Sequence, residues 1–284
     1  MPELPEVETV RRGLANRLQS FVIDDIEVLR DRAVASPGGP QALCLGLRGQ
    51  KVGAWSRRGK YLVAQLHDPQ TGHCNGVWGV HLRMTGQFQW HPTPTEPCRH
   101  TRVRLWNTAG EELRFVDLRS FGEMWFVPQN VSIDAVITGL QRLGPEPFSE
   151  EFNATYLEQK LKGSTRSIKA ALLDQAVVAG AGNIYADESL FAAGIAPDRK
   201  AGELNLPELE RLCTCLVDVL EMSIGAGGTT FSDFRDLEGV NGNYGGQASV
   251  YRRTGQPCLV CGTPIERQRL GGRSTHWCPV CQQG

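Results

Sequence analysis

The chain has 284 residues, of which 30 are basic and 31 acidic, so its net charge is −1. That length allows two domains and a small appendage. No apolar run approaches the roughly 18 residues that would span a bilayer, and no signal peptide or lipidation motif is read, so the expectation is a cytoplasmic protein without membrane contact. By the simplest rule a near-neutral total argues against nucleic-acid binding, but the distribution of charge matters more than its sum.

The first element announces itself at once. In "MPELPEVETVRRGL", Val7, Val10, Leu14, Leu18 and Phe21 recur at helical spacing. Pro5 suits the first turn, and Glu6 and Glu8 suit the positive end of the helix dipole. Residues 22–127 then read mostly as strands: "FVIDDIEVL", "KYLVAQL", "GVWGVHL", "TRVRLW", "EELRFVDL" and "EMWFV" are short β-rich runs separated by turn residues. Within them, residues 48–61 carry Arg48, Lys51, Arg57, Arg58 and Lys60 with no acid. Strands at this spacing predict a sandwich or barrel, and with the leading helix they make a first domain over 1–130.

From residue 131 the pattern turns helical. "ATYLEQKLKG", "SIKAALLDQAVV", "NIYADESLFAAG" and "LPELERLCTCLVDVLEMSI" are the helix candidates, punctuated by Gly163, Gly182 and Gly194. The Gly-rich stretch "GAGGTTFSDFRDLEGVNGNYGGQ" follows, too long for a simple connection. The second domain is read as 131–246 and a C-terminal ribbon as 247–284. In residues 251–284 five arginines face Glu266 alone.

Nine cysteines are present. Five are scattered and suggest no disulfide framework. The other four, Cys258, Cys261, Cys278 and Cys281, form C-x2-C, sixteen residues, C-x2-C. Two such knuckles set four thiolates around one Zn²⁺ and leave no open coordination position, so the zinc is expected to be structural. "GGRST" between the knuckles reads as a hairpin tip that presents Arg273.

The opening also carries chemistry. With Met1 removed, Pro2 has a free secondary amine, and an α-amino group titrates roughly two units below lysine. Such an amine attacks an aldehyde-like carbon to give an iminium, with Glu3 as neighbouring acid or base. On chemistry alone, the plainer reading is that Pro2 follows the initiator and Glu3 opens a helix.

Four motifs in order, "MPELPEVETVRRGL", "GAGNIYADESLFAAGI", "GGTTFSDF" and the four-cysteine ribbon, span the whole chain. Together they resemble the bacterial formamidopyrimidine-DNA glycosylases, of the family that also contains endonuclease VIII. The resemblance implies an α+β protein: an N-terminal β-sandwich with a leading helix, a helix–two-turn–helix domain and a C-terminal zinc ribbon, with DNA in a cleft between domains. It implies excision of oxidised purines from damaged double-stranded DNA by a monomer, with strand cleavage by β,δ-elimination.

By the same resemblance Pro2 is the nucleophile, Glu3 the acid that helps open the sugar, Lys60 the lysine of β-elimination and Arg273 the phosphate-contacting arginine of δ-elimination. His100, Arg119, Arg166, Lys169, Asn183 and Tyr251 match DNA contacts; Asn183 is also a natural cap for its helix. Met84, Arg119 and Phe121 match the residues that fill the hole left by a flipped nucleotide, where extrusion costs a few kcal/mol. Thr229 and Thr230, in "GGTT", are expected near the flipped base. The chain departs from the family's D-P-R-R-F-G loop, carrying "DLRSFG" instead. Two alternatives stand beside this reading: an oxidised-pyrimidine preference like that of endonuclease VIII, which typically has Gly where Leu4 stands, and a catalytically silent damaged-DNA-binding protein.

Overall fold

The computed structural model describes residues 1–93, 95–229 and 242–283. It divides into two compact units, residues 1–141 with 227–243 and residues 142–226 with 244–284.

The first unit begins with helix α1 (Leu4–Arg17), whose predicted apolar face is buried: Val7, Val10, Leu14 and Leu18 are each no more than 1% exposed. Strand β1 (Asp25–Val28) and helix α2 (Gly39–Leu47) follow. Seven strands come next: β2 (Lys51–Arg58), β3 (Tyr61–His67), β4 (Cys74–His81), β5 (Gly86–His91), β6 (Thr101–Trp106), β7 (Glu112–Asp117) and β8 (Glu123–Pro128), and a short helix α3 (Ile133–Val136) closes the run. The strands make two antiparallel four-stranded sheets, ordered β1-β6-β7-β5 and β2-β3-β4-β8. Their inner faces and α1 share one apolar core, in which Trp55, Trp78, Phe88 and Phe115 pack ring against ring at 5.3–5.9 Å. Aromatic pairs at these separations add to plain area burial.

The second unit contains α4 (Ala154–Leu161), α5 (Ile168–Leu173), α6 (Asn183–Ala192), α7 (Leu206–Gly225) and the hairpin β9 (Glu266–Leu270) with β10 (Arg273–Trp277). Three of the four helix starts have a capping side chain before them. Asn153, Ser167 and Asn205 accept a backbone N–H from the first turns of α4, α5 and α7. α5 is shorter than "SIKAALLDQAVV" suggests, because the Asp174 carboxylate accepts from Ala176 N and turns the chain. α6 is buried on every side from Ile184 to Leu190, as a central helix must be. The helical segment and the ribbon, read separately from the sequence, share this unit because β10 lies on α6 and Phe191 packs against the apolar cluster of Val250, Cys258, Ile265 and Cys278. No helix among the described residues is long and apolar enough to cross a membrane.

Candidate nucleic-acid and catalytic site

In the first unit the N-terminus is held, not frayed. Pro2 and Glu3 are buried at the start of α1. Glu6, 1% exposed, accepts the Glu3 N–H at 2.8 Å with one carboxylate oxygen and the Thr229 N–H at 2.7 Å with the other. The entry to the Gly-rich segment is thereby tied to the first turn of α1. Gly228 has φ +80°, and a Cβ there would lie 3.1 Å from the Glu6 carboxylate, so the close approach requires glycine. Thr230 lies outside the described residues.

Lys60 occupies the two-residue turn between β2 and β3, after Gly59 at φ +55°. It is 7% exposed. The neighbouring His81 is T-stacked on Tyr61 at 4.5 Å and accepts the Arg83 N–H through Nδ1. Burial, then the Arg83 and Lys60 cations, push His81 down to about 3, so it is neutral. α1 is fastened beside this turn by Glu8, which pairs with Arg11 at 2.9 Å and with Arg57 of β2 at 3.3 Å.

The constellation of Met84, Arg119 and Phe121 is brought together by a carboxylate. Asp117, fully buried, accepts from Arg119 N, Gly122 N and the Thr85 hydroxyl, and Arg119 N also donates to Thr85. The turn bearing Met84 and the "DLRSFG" loop are one hydrogen-bonded object. Ser120 sits at φ +54°, a left-handed conformation that Asp117's bonds hold in place. Phe121 is 37% exposed, with the Arg119 guanidinium 4.7 Å from its ring centre and that of Arg32 at 5.3 Å. Arg32 was not expected from the sequence; an arginine in a turn 89 positions earlier carries no local signal. His100 is half-buried, and its Nε2 accepts from Arg99 at 2.9 Å.

In the second unit Arg273 opens β10 and is exposed, beside the half-buried Ser274. The Ser274 carbonyl accepts from Asn183 Nδ2 at 2.9 Å and from Lys169 Nζ at 2.8 Å. Two expectations are corrected here. Asn183 does not cap α6: Gly182 is the N-cap, and Asn183 Nδ2 donates instead to the Ser274 carbonyl of β10. Lys169 is fully buried: its ammonium donates to the Ser274 carbonyl and to the Thr275 hydroxyl at 2.9 Å and is ion-paired with Asp187 at 2.7 Å, so it lies inside the unit and not on a surface that DNA could reach. Arg166 is exposed and paired with Asp174 at 2.8 Å.

Asp187 and Glu188 are adjacent acids in a buried helix, and the sequence reading did not single them out. Asp187 also accepts the His276 N–H at 2.9 Å. Glu188 accepts the N–H groups of Ser249, Val250 and Tyr251 at 2.7–2.9 Å; burial raises its pKa, and the three bonds oppose the rise. Tyr251 stacks edge-on against His276 at 4.9 Å.

The sulfurs of Cys258, Cys261, Cys278 and Cys281 all lie within 4.8 Å of one another, with Cys258–Cys281 at 3.8 Å and Cys261–Cys278 at 3.4 Å. Sulfurs at the corners of a tetrahedron about 2.3 Å from zinc lie roughly 3.8 Å apart. The donor set therefore fits one structural Zn²⁺, which supplies cross-linking and no chemistry of its own.

Residues 1–124 match the family model described as the formamidopyrimidine-DNA glycosylase N-terminal domain, residues 143–235 the H2TH domain of the same enzymes, and residues 255–284 a zinc finger found in FPG and IleRS. The formamidopyrimidine-DNA glycosylase of Parasynechococcus marenigrum (strain WH8102) is 68% identical over 282 residues, covering 99% of this chain and all of the relative. That of Prochlorococcus marinus (strain MIT 9313) is 64% identical over 291 residues, with both chains fully covered. Among solved structures, a Lactococcus lactis FPG mutant in complex with a Fapy-dG containing DNA superposes with TM-score 0.90 at 34% identity over the whole of both chains. MutM in complex with carbocyclic 8-oxo-G containing DNA gives 0.89 at 33%, again over both whole chains. With three family models matched in order along its length, the chain belongs to the formamidopyrimidine-DNA glycosylase family.

Proposed function

We propose that this chain is a bifunctional DNA glycosylase and AP lyase that removes oxidised purines, 8-oxoguanine and formamidopyrimidines, from damaged double-stranded DNA, as a monomer in the cytoplasm. The observation that carries the reading is the Glu6 bridge: the residues bearing the amine and its acid are bonded to the start of the segment expected to meet the base.

In this reading residues 1–130 hold the covalent chemistry, 131–246 the helix–two-turn–helix contacts and base selection, and 247–284 the ribbon that offers Arg273. Once Met1 is gone, the Pro2 lone pair forms a bond to C1′ and the C1′–base bond breaks, its electron pair leaving with the base. Glu3 delivers a proton to the ring oxygen as the sugar opens, giving an iminium on Pro2. The iminium acidifies the C2′ hydrogen; its loss expels the 3′ phosphate, and a second elimination expels the 5′ phosphate. Lys60 and Arg273 supply cations to the departing phosphates. Met84, Arg119 and Phe121 fill the vacated stack, and His100, Asn183, Tyr251 and Arg166 contact the backbone.

Borohydride trapping on an abasic-site duplex tests this. The protein beginning at Pro2 is expected to form a covalent adduct. The same protein retaining Met1, in which that nitrogen is an amide without a usable lone pair, is expected to form none. Equal trapping by both would overturn the mechanism. Side-by-side excision from 8-oxoguanine and oxidised-pyrimidine duplexes decides the substrate class.

A further inference from the structure

A buried polar cluster of the second unit lies away from solvent, and nothing in the mechanism above uses it. Lys169 on α5 and Asp187 on α6 are both fully buried and paired at 2.7 Å. A buried pair of this kind is weak evidence for stability, since an apolar replacement of similar volume often does as well. Its partners show what else it does. The pair holds four polar groups within one three-residue stretch of β10: the Ser274 carbonyl, the Thr275 hydroxyl, and the N–H and Nδ1 of His276. Opposite charges on two helices thus grip alternate donors and acceptors of a single strand. A strand slipped by one residue would offer donors where Lys169 needs acceptors, and its side chains would change faces.

The gripped strand begins at Arg273, and the Ser274 carbonyl held by Lys169 is also the acceptor of Asn183. One peptide separates Arg273 from the carbonyl that Asn183 holds. The zinc knuckles cannot set this register alone, because Cys261 and Cys278 lie at the far end of the hairpin from the tip at Gly271 and Gly272.

We propose that Lys169 and Asp187 are positioning residues: the buried pair sets the register and depth of β10 on α6 and so aims Arg273, making Arg273 and Asn183 one rigid phosphate grip. This inference rests on the reading of Arg273 as the δ-elimination cation.

The test uses the full-length, zinc-loaded protein beginning at Pro2 and an abasic-site duplex at saturating enzyme. The Lys169→Met/Asp187→Leu double variant replaces the pair by apolar groups of similar bulk. Zinc content and borohydride trapping are expected to stay at the parental level, because the amine lies in the other unit. The ratio of δ- to β-elimination product is expected to fall roughly tenfold, the factor that one hydrogen bond to a charged group carries. An unchanged product ratio in the folded double variant overturns the proposal. If the double variant does not fold, Thr275→Val decides: it removes one acceptor of Lys169 and leaves the pair, and the ratio must again fall. Absence of trapping in the parent protein would instead refute the underlying glycosylase reading, so the two failures are distinct.

Discussion

Glu6 and Thr229 are 223 positions apart, and a carboxylate oxygen of the first accepts the backbone N–H of the second at 2.7 Å. The same carboxylate holds the Glu3 N–H. Both of these donors are N–H groups, so each of the two bonds needs an acceptor oxygen on Glu6. Glu6→Gln keeps the shape and turns one oxygen into a donor that faces a donor. The expected cost is about 1.5–3 kcal/mol, the range for a hydrogen bond to a charged group. It should appear as slower excision of 8-oxoguanine with nicking of a preformed abasic site reduced less. Gly228→Ala should act in the same direction, through φ +80° and the contact with Glu6. Paired nicking assays on matched duplexes measure both. Equal losses on the two duplexes would make the bridge merely structural.

What the sequence concealed follows from this kind of contact. α1 and the zinc knuckles are legible because their signals are local: a helical period and a fixed cysteine spacing. β2 was passed over because a bulge between Val52 and Trp55 shifts its register and breaks the alternation. α2 begins with glycine and proline and carries Gly46, which reads as a loop; its glycine is needed because the Phe126 ring lies 2.3 Å from where a Cβ would stand. Lys169 matches a DNA contact by the family resemblance, yet it is fully buried. Its acceptors on β10 stand 105 and 106 positions away, beyond any local pattern.

Zinc should act through position. Replacing Cys258 or Cys281 with Ser, or removing the metal with a chelator, is expected to unfold the ribbon and abolish DNA binding. The ribbon has only a small apolar cluster of its own, and structural zinc supplies on the order of 10 kcal/mol in such modules. The sandwich should keep its near-ultraviolet signal, since Trp55 and Trp78 lie in a core that contains no part of the ribbon. Zinc-free protein that binds and nicks damaged duplex normally would contradict this.

The two guanidiniums over Phe121 predict a division of labour. Arg32 lies in a short turn and is exposed, so Arg32→Ala should change folding stability by no more than about 0.5 kcal/mol. It should weaken binding to a lesion duplex by about 0.5–1 kcal/mol through loss of the cation–π contact. If Arg32 steadies the wedge, undamaged duplex should bind almost as before and the salt slope should be unchanged. Uniform weakening on both duplexes with a slope reduced by about one would make it a phosphate contact instead.

His81 is held neutral, with its pKa pushed from 6.5 down to about 3 by burial first and by Arg83 and Lys60 next. In the unfolded chain it binds a proton below pH 6.5. Between about pH 6.5 and 3 the unfolded state therefore carries more protons, and stability must fall as the pH is lowered through that window. One such site costs up to about 1.4 kcal/mol per pH unit. The partly buried His91 is shifted in the same direction and adds to the slope, so the informative quantity is a difference between variants. His81→Asn retains an acceptor for the Arg83 N–H and cannot be protonated. It should be less stable at pH 8, where the imidazole's packing on Tyr61 is lost, and should show a shallower loss from pH 6.5 to 4.5. Urea denaturation of both proteins across that range gives the two slopes, and parallel slopes would mean that His81 finds a way to protonate within the folded protein.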